Sequence, residues 1–296
     1  MRRLLTIALV GTLALSGCAR PDAVGDEFPA GTTEHDVRVD GVERRYLVTV
    51  PENLQDGAPL VLMLHGGFGS AEQARQAYGW DELAASEGFV VAYPDGLGRA
   101  WNVGDGCCGT SGERGVDDVA FVEAVVDQLR IGIDVASDRV FATGMSNGAM
   151  LSYRLACDTD TFRAIGPVAG TILGPCDDPA PTSVIHIHGE ADESVHLDGS
   201  PGTGAENIDG MPIPDIAALW REVDGCDEPV VTVDAEVTTS LAACRDDRAV
   251  DLITIAGAGH HWPGSVPGRA QERFGAGEPY PGLDATATIW AFFAAH

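Results

Sequence analysis

Lysine is absent from this 296-residue sequence. All 18 basic residues are arginine and face 45 acidic residues, which gives a formal net charge of −27. A charge of this size and sign repels phosphate groups, so nucleic acid is excluded from the expected partners. The same imbalance fits a solvated acidic surface and does not by itself select a chemistry.

Long apolar runs are absent beyond the N-terminus, so the sequence offers no other candidate for a spanning helix. Residues 1–18 have the order of a signal peptide: two arginines, an apolar run, then small residues. The run ends in Leu15-Ser16-Gly17-Cys18, which resembles a bacterial lipobox and predicts acylation of Cys18 and anchoring to a membrane. A plain secretory signal is the alternative. Either leader predicts an extracytoplasmic protein, and the polar residues 19–34 then form a flexible tether.

No Cys-x-x-Cys metal cluster occurs, although the chain has seven cysteines. Six remain beside the lipobox cysteine, and an even number in an exported protein favours structural disulfides over metal ligands or a reactive thiol. The preferred pair, Cys226 and Cys244, brackets a β-rich stretch. The remaining candidates are Cys107, Cys108, Cys157 and Cys176. The two adjacent cysteines are expected to reach different partners.

Strand and helix signals alternate from about residue 35 to the C-terminus. The turn signal Asp40-Gly41 predicts an opening hairpin over 36–50. Further strands are predicted at 60–64, 89–93, 139–143, 165–168, 183–187 and 249–255, and helices at 71–86, 116–130, 147–157, 214–223 and 284–295. Asp117, Asp118 and Asp284 are expected to cap helices. This alternation predicts one α/β domain over 35–296, a mainly parallel sheet flanked by helices on both faces.

The strongest functional motif is Gly144-Met145-Ser146-Asn147-Gly148, which is G-x-S-x-G between a predicted strand and a predicted helix. This is the context of a nucleophile elbow. A serine in such a tight turn is strained, and bulk two residues to either side would clash. The motif predicts Ser146 as the nucleophile of a serine hydrolase; a structural βα turn is the alternative.

A serine hydroxyl needs a base that is itself oriented by an acid, and in this type of fold the acid precedes the histidine in the chain. Asp192 follows the predicted strand 183–187 and is the expected acid, with Glu190 and Glu193 as competitors. The base is expected in the glycine-rich loop that carries His260 and His261.

Two backbone N–H groups are expected to bind the oxyanion of the reaction. One belongs to Asn147, directly after the nucleophile, and the other to Gly67 in the loop that follows the first buried strand. Phe68 and Trp262 are expected to line the substrate pocket. His186 and His188 share one face of a strand and could be metal ligands. With no third ligand evident, His186 is interpreted as a core residue and His188 as orienting the turn that follows.

Several short motifs occur one after another along the chain. They are His65-Gly66-Gly67, Tyr93-Pro94-Asp95-Gly96, Trp101-Asn102, Cys107-Cys108-Gly109, Gly115-Val116-Asp117-Asp118-Val119, the serine motif, His188-Gly189 through Asp192, and Gly259-His260 through Trp262-Pro263-Gly264. From about residue 40 onward the chain thereby resembles the LpqC-type exported esterases. That family groups polyhydroxybutyrate-depolymerase-like proteins with feruloyl- and acetylxylan-esterase-like proteins.

The resemblance implies an α/β-hydrolase fold and a triad of Ser146, Asp192 and His260, because the family's histidine follows glycines and lies two residues before a tryptophan. It implies a small-molecule or oligomeric ester as substrate, with no cofactor and no metal. The sequence departs from the family at Phe68 and Ala258, where the family has more glycine. Two alternatives remain: an acyltransferase of the same fold, and a non-catalytic surface-binding lipoprotein.

Overall fold

The structure, a computed structural model, describes residues 28–203, 208–266 and 278–296. The strands are β1 Gly31–Val39, β2 Val42–Val50, β3 Ala58–Leu64, β4 Val90–Pro94, β5 Val135–Met145, β6 Ala164–Val168, β7 Ser183–Gly189, β8 Val230–Asp234, β9 Val237–Ala243 and β10 Ala249–Ile255. The helices within these residues are α1 Ala71–Ala77, α2 Trp80–Glu87, α3 Gly109–Arg114, α4 Asp118–Gly132, α5 Asn147–Asp158, α6 Ile213–Asp224 and α7 Ala285–Ala295.

The ten strands form one sheet in the order β1-β2-β4-β3-β5-β6-β7-β10-β9-β8. The six central strands pair in parallel; they are β4, β3, β5, β6, β7 and β10. The antiparallel hairpins β1–β2 and β8–β9 extend the sheet at its two ends. Parallel neighbours need crossover connections, and each of them here contains a helix except the one between β6 and β7, which is a loop over residues 169–182. The predicted mainly parallel α/β architecture is confirmed.

Strand β3 shows why both faces of the sheet are covered. All seven of its residues are buried, and alternate side chains point to opposite faces. Leu60, Leu62 and Leu64 join the core beneath α4, α5 and α6, whereas Val61 and Met63 join the core beneath α1, α2 and α7. A continuous apolar run is what a strand buried on both faces requires.

The predicted opening hairpin is confirmed, with Asp40 and Gly41 both at positive φ in its turn. The predicted tether is too long by four residues. Strand β1 already begins at Gly31, because residues 31–34 pair with residues 47–50 of β2. Residues 1–27 lie outside the described part of the chain, and with them the predicted leader and Cys18.

Two helix predictions need correction. The single helix predicted over 71–86 is two helices, because Gly79 at φ 73° turns the chain between α1 and α2. At the start of α4, Asp117 caps the helix by accepting the N–H of Ala120, as predicted. Asp118 does not cap: it is buried and forms an ion pair with Arg44 at 2.6 Å.

The disulfides agree with the cysteine prediction in part. Cys226 pairs with Cys244, as predicted, and closes the hairpin β8–β9. Adjacent Cys107 and Cys108 are bonded to each other, so the expectation that they reach different partners is wrong. The physical reason is that their two candidates, Cys157 and Cys176, pair with each other across 5.2 Å between Cα atoms. Among the residues described, no helix is both long enough and apolar enough to cross a membrane.

Candidate active site

Ser146 lies at a strained turn between β5 and α5. Its backbone has φ 56° and ψ −118°, a region that side-chain-bearing residues rarely occupy. The N–H of Ser146 donates to the carbonyl oxygen of Val168 at the end of β6, which holds the turn against the neighbouring strand. Strain of this kind persists only where the surrounding structure enforces it, and it is common at functional sites.

The two glycines of the motif are required by close packing around this turn. A Cβ atom on Gly144 would lie 2.5 Å from the carbonyl carbon of Gly148, and a Cβ on Gly148 would overlap the carbonyl oxygen of Leu64. Real Cβ atoms do not approach backbone atoms so closely. The predicted reason for small residues on both sides of Ser146 is confirmed.

Three side chains from separate loops meet at the carboxyl edge of the sheet. The Nε2 atom of His260 lies 2.8 Å from the Oγ of Ser146, and its Nδ1 lies 2.7 Å from the Oδ2 of Asp192. A carboxylate accepts, so Nδ1–H donates to Asp192 and Nε2 is left to accept the serine proton. The structure thus joins the three predicted residues in the geometry of a nucleophile, a base and an orienting acid.

Asp192 is buried and held at both oxygens. Its Oδ1 accepts the N–H groups of Ser194 and Val195 at 2.8 and 2.9 Å, which leaves Oδ2 for the histidine. Burial alone would raise the pKa of Asp192, but the hydrogen bond and charge of His260 and the Val195 N–H outweigh it and lower the pKa. The carboxylate is therefore ionised at neutral pH. The competing acids, Glu190 and Glu193, are exposed.

His261, the next residue after His260, has different surroundings. His261 is buried, its Nδ1 has no hydrogen-bond partner within the described residues, and burial lowers the pKa of its imidazole. His260, rather than His261, contacts Ser146 and Asp192.

The predicted oxyanion donors lie next to each other. A Cβ atom on Gly67 would be 3.9 Å from the Cβ of Asn147. In the same loop the N–H of Phe68 donates to Arg99 and that of Gly69 donates to Gly66. Over the described ranges, no backbone acceptor is found for the N–H of Gly67 or of Asn147. The two N–H groups thus belong to neighbouring residues and are not engaged by another backbone group, which is what the predicted role as oxyanion donors requires.

Sequence reasoning missed the residue that fixes this pair of loops, Trp101. The Asn147 side chain accepts the Trp101 N–H at 2.7 Å and donates to the Trp101 carbonyl oxygen at 3.1 Å. The indole N–H of Trp101 donates to the carbonyl oxygen of His65, directly before the Gly66-Gly67 turn. The motif Trp101-Asn102 was visible in the sequence, but its contacts lie 36 and 46 residues away in the chain.

His65 supports the same loop. Its Nδ1–H donates to the carbonyl oxygen of Gly66 at 2.8 Å, and its Nε2 accepts the N–H of Gly96 at 2.9 Å. Burial lowers the pKa of His65, in keeping with a neutral ring that donates at one nitrogen and accepts at the other.

The two predicted pocket residues, Phe68 and Trp262, differ in their exposure to solvent. Phe68, next to Gly67, is 51% exposed and has a backbone φ of 61°. Trp262 has no exposed surface: it stacks on Tyr78, and its indole N–H donates to the hydroxyl of Thr286. The prediction that Trp262 lines the pocket is wrong, because its ring packs in the core and anchors the loop that carries His260.

Residues 45–243 match the protein family described as esterase PHB depolymerase. The chain is 31% identical over 265 residues to NocK of Nocardia uniformis subsp. tsuyamanensis. The matched region covers 80% of this chain and 76% of NocK. It is 28% identical over 236 residues to feruloyl esterase B of Piromyces equi, covering 73% of the chain and 42% of that longer protein. The solved structure of acetyl xylan esterase from Aspergillus awamori has a TM-score of 0.59 at 18% identity, covering 83% of this chain and 100% of the esterase, and has the same fold.

Proposed function

The chain belongs to the esterase PHB depolymerase family and is an esterase of the α/β-hydrolase fold, and we propose that it cleaves carboxylic esters through an acyl-enzyme on Ser146. The observation that carries the proposal is the pair of short contacts that His260 makes, with Ser146 on one side and Asp192 on the other. The catalytic domain is proposed to begin with β1 at Gly31 and to extend through α7.

In the first half of the reaction, Nε2 of His260 takes the Ser146 proton while Oγ attacks the ester carbonyl carbon. Asp192 stabilises the imidazolium that forms, and the N–H groups of Gly67 and Asn147 bind the oxyanion. As the tetrahedral intermediate collapses, its C–O bond to the alcohol breaks and His260 gives the proton to the leaving alcohol. Ser146 is left as an ester of the acid.

In the second half, water replaces the alcohol. His260 takes a proton from the water as it attacks the acyl carbon, and the same two N–H groups bind the second oxyanion. Collapse breaks the bond to Ser146 Oγ, which regains its proton from His260. The products are one acid and one alcohol.

The relatives suggest the substrate class. The family description names PHB depolymerase, and relatives are named feruloyl esterase B and bifunctional acetylxylan esterase/xylanase. We propose that this chain accepts hydroxyalkanoate oligomers or feruloyl and acetyl esters.

The test is a comparison of the wild type with Ser146→Ala on p-nitrophenyl acetate, followed by methyl ferulate, acetylated xylan and hydroxybutyrate oligomers. Ser86→Ala is the matched control, because Ser86 is exposed on α2 and donates only to Leu83 within its own helix. Loss of turnover and of fluorophosphonate labelling in Ser146→Ala alone supports the proposal. Full activity in Ser146→Ala contradicts it, and product that requires an added alcohol acceptor favours acyl transfer.

An extracytoplasmic location is part of the proposal. The disulfides Cys157–Cys176 and Cys226–Cys244 support it, because such bonds persist in oxidising compartments. Anchoring through Cys18 predicts that the expressed protein sediments with membranes and that Cys18→Ser releases it. A soluble wild-type protein cleaved at another position would favour the plain secretory signal.

A further inference from the structure

A chain of hydrogen bonds runs beneath the candidate active site through three buried side chains, Tyr153, His186 and His188. The hydroxyl of Tyr153 lies 2.6 Å from Nδ1 of His186, and Nε2 of His186 lies 3.0 Å from Nδ1 of His188. The chain ends where Nε2 of His188 lies 2.9 Å from the carbonyl oxygen of Val195. At most 2% of any of the three residues is exposed.

The protons in this chain have one direction. The Val195 carbonyl can only accept, so His188 donates from Nε2 and its Nδ1 accepts from His186. His186 therefore donates from Nε2, and its own Nδ1 accepts the hydroxyl proton of Tyr153. Both rings are neutral in this arrangement. Burial lowers the pKa of His186 and His188 and raises that of Tyr153, which agrees with three uncharged groups.

The two ends of this series of hydrogen bonds lie on the two elements that the reaction has to align. Tyr153 is on α5, about two turns after Ser146. Val195 is in the Asp192 loop, and its N–H donates to Oδ1 of Asp192 at 2.9 Å. Val195 is thus held by His188 at its carbonyl oxygen, and its N–H in turn holds the Asp192 carboxylate.

Neutrality of His188 also protects the triad contact. Its Nε2 lies 3.6 Å from Oδ2 of Asp192, the oxygen that accepts from His260. A charged group at this position would compete with His260 for the carboxylate. The fixed proton direction commits the Nε2–H of His188 to Val195 and leaves Oδ2 to His260.

We propose that Tyr153, His186 and His188 are positioning residues that align the Asp192 carboxylate with the helix of Ser146. The inference rests on the proposed serine esterase function. It attributes to the three residues an effect on the rate of the chemical step, beyond their packing in the core.

The test uses full-length variants assayed on p-nitrophenyl acetate. His188→Met keeps the bulk of the side chain but removes its donor and acceptor, whereas His188→Gln retains one of each. Tyr153→Phe removes only the hydroxyl. Tyr46→Phe is the matched control, since Tyr46 is equally buried and donates to Gln128, away from the site.

We expect kcat of His188→Met to fall about tenfold to a hundredfold, and that of Tyr153→Phe by a smaller factor, with KM changed less than about twofold. His188→Gln should recover most of the loss, and Tyr46→Phe should keep kcat even if its thermal midpoint falls as much as that of Tyr153→Phe. Rates are expressed per folded molecule, measured by circular dichroism.

Two outcomes overturn the inference. One is a wild-type kcat per folded molecule in Tyr153→Phe, which decides the matter if His188→Met does not fold. The other is an equal loss of kcat in Tyr46→Phe. In either case, an inactive Ser146→Ala would leave the proposed function standing, whereas an active Ser146→Ala would remove the proposed function itself.

Discussion

The exchange of Asp192 for asparagine is the sharpest test of the site geometry. The N–H groups of Ser194 and Val195 both point at Oδ1, so the amide oxygen of the new side chain takes that position. Its NH2 group then faces Nδ1 of His260, where the carboxylate oxygen was at 2.7 Å. Two donors cannot share this contact. The imidazole has to adopt the other tautomer, with its proton on Nε2.

The size of the effect follows from that tautomer. With Nε2–H directed at Ser146 Oγ, 2.8 Å away, the ring has no lone pair with which to accept the serine proton. The general base is lost although all three side chains keep their places. We expect kcat to fall about 10⁴-fold. At about 1.36 kcal/mol for each tenfold change in rate, the transition state loses about 5 kcal/mol of stabilisation.

The assay is steady-state hydrolysis of p-nitrophenyl acetate with circular dichroism to verify folding. Glu190→Gln is the matched control: Glu190 is an exposed carboxylate two residues earlier that accepts only from Thr254, so its rate should stay within about twofold of wild type. A folded Asp192→Asn that retains more than about a tenth of the wild-type kcat would refute the tautomer argument.

Three further predictions concern stability. Gly148→Ala should yield no soluble, active protein, because its Cβ would overlap the Leu64 carbonyl oxygen; normal expression and turnover would contradict the packing argument. Burial raises the pKa of Asp224 from 3.8 to about 6, so between these values the folded state keeps a proton that the unfolded state has lost, and stability falls as pH rises. Asp224→Asn should reduce that fall, since Asp251 titrates over the same range, and should raise the thermal midpoint at neutral pH; an unchanged pH dependence of thermal unfolding would count against it. Arg44→Met should lower the free energy of unfolding in urea by about 3–5 kcal/mol, because Asp118 stays buried without its counter-ion. A loss below about 1 kcal/mol would show that the pair contributes little.

Features with a local cause could be predicted from the sequence. Strand β3 is apolar at nearly every position, and only a strand buried on both faces needs that pattern. The glycines around Ser146 were predicted because the turn itself leaves no room for a Cβ atom. The order of serine, acid and histidine along the chain then indicated which loops meet.

Features with distant causes could not be predicted. Asp118 looked like a helix cap because its partner, Arg44, lies 74 residues earlier in the chain. Trp262 looked like a pocket residue because nothing near it reveals that its indole reaches Thr286, 24 residues later. The break between α1 and α2 depends on a single left-handed glycine, which a helical pattern does not exclude.

The long sequence separations in the site bear on how the protein folds. Ser146 and His260 are 114 residues apart. His260 follows β10, whose parallel pairing with β7 joins distant parts of the chain, as in Val250 with Val184. Non-local parallel pairing is slow, since loop closure must precede the contacts that reward it. Recovered turnover during refolding therefore marks the docking of β10, and it should lag behind the return of helical circular dichroism from segments such as α4 and α5.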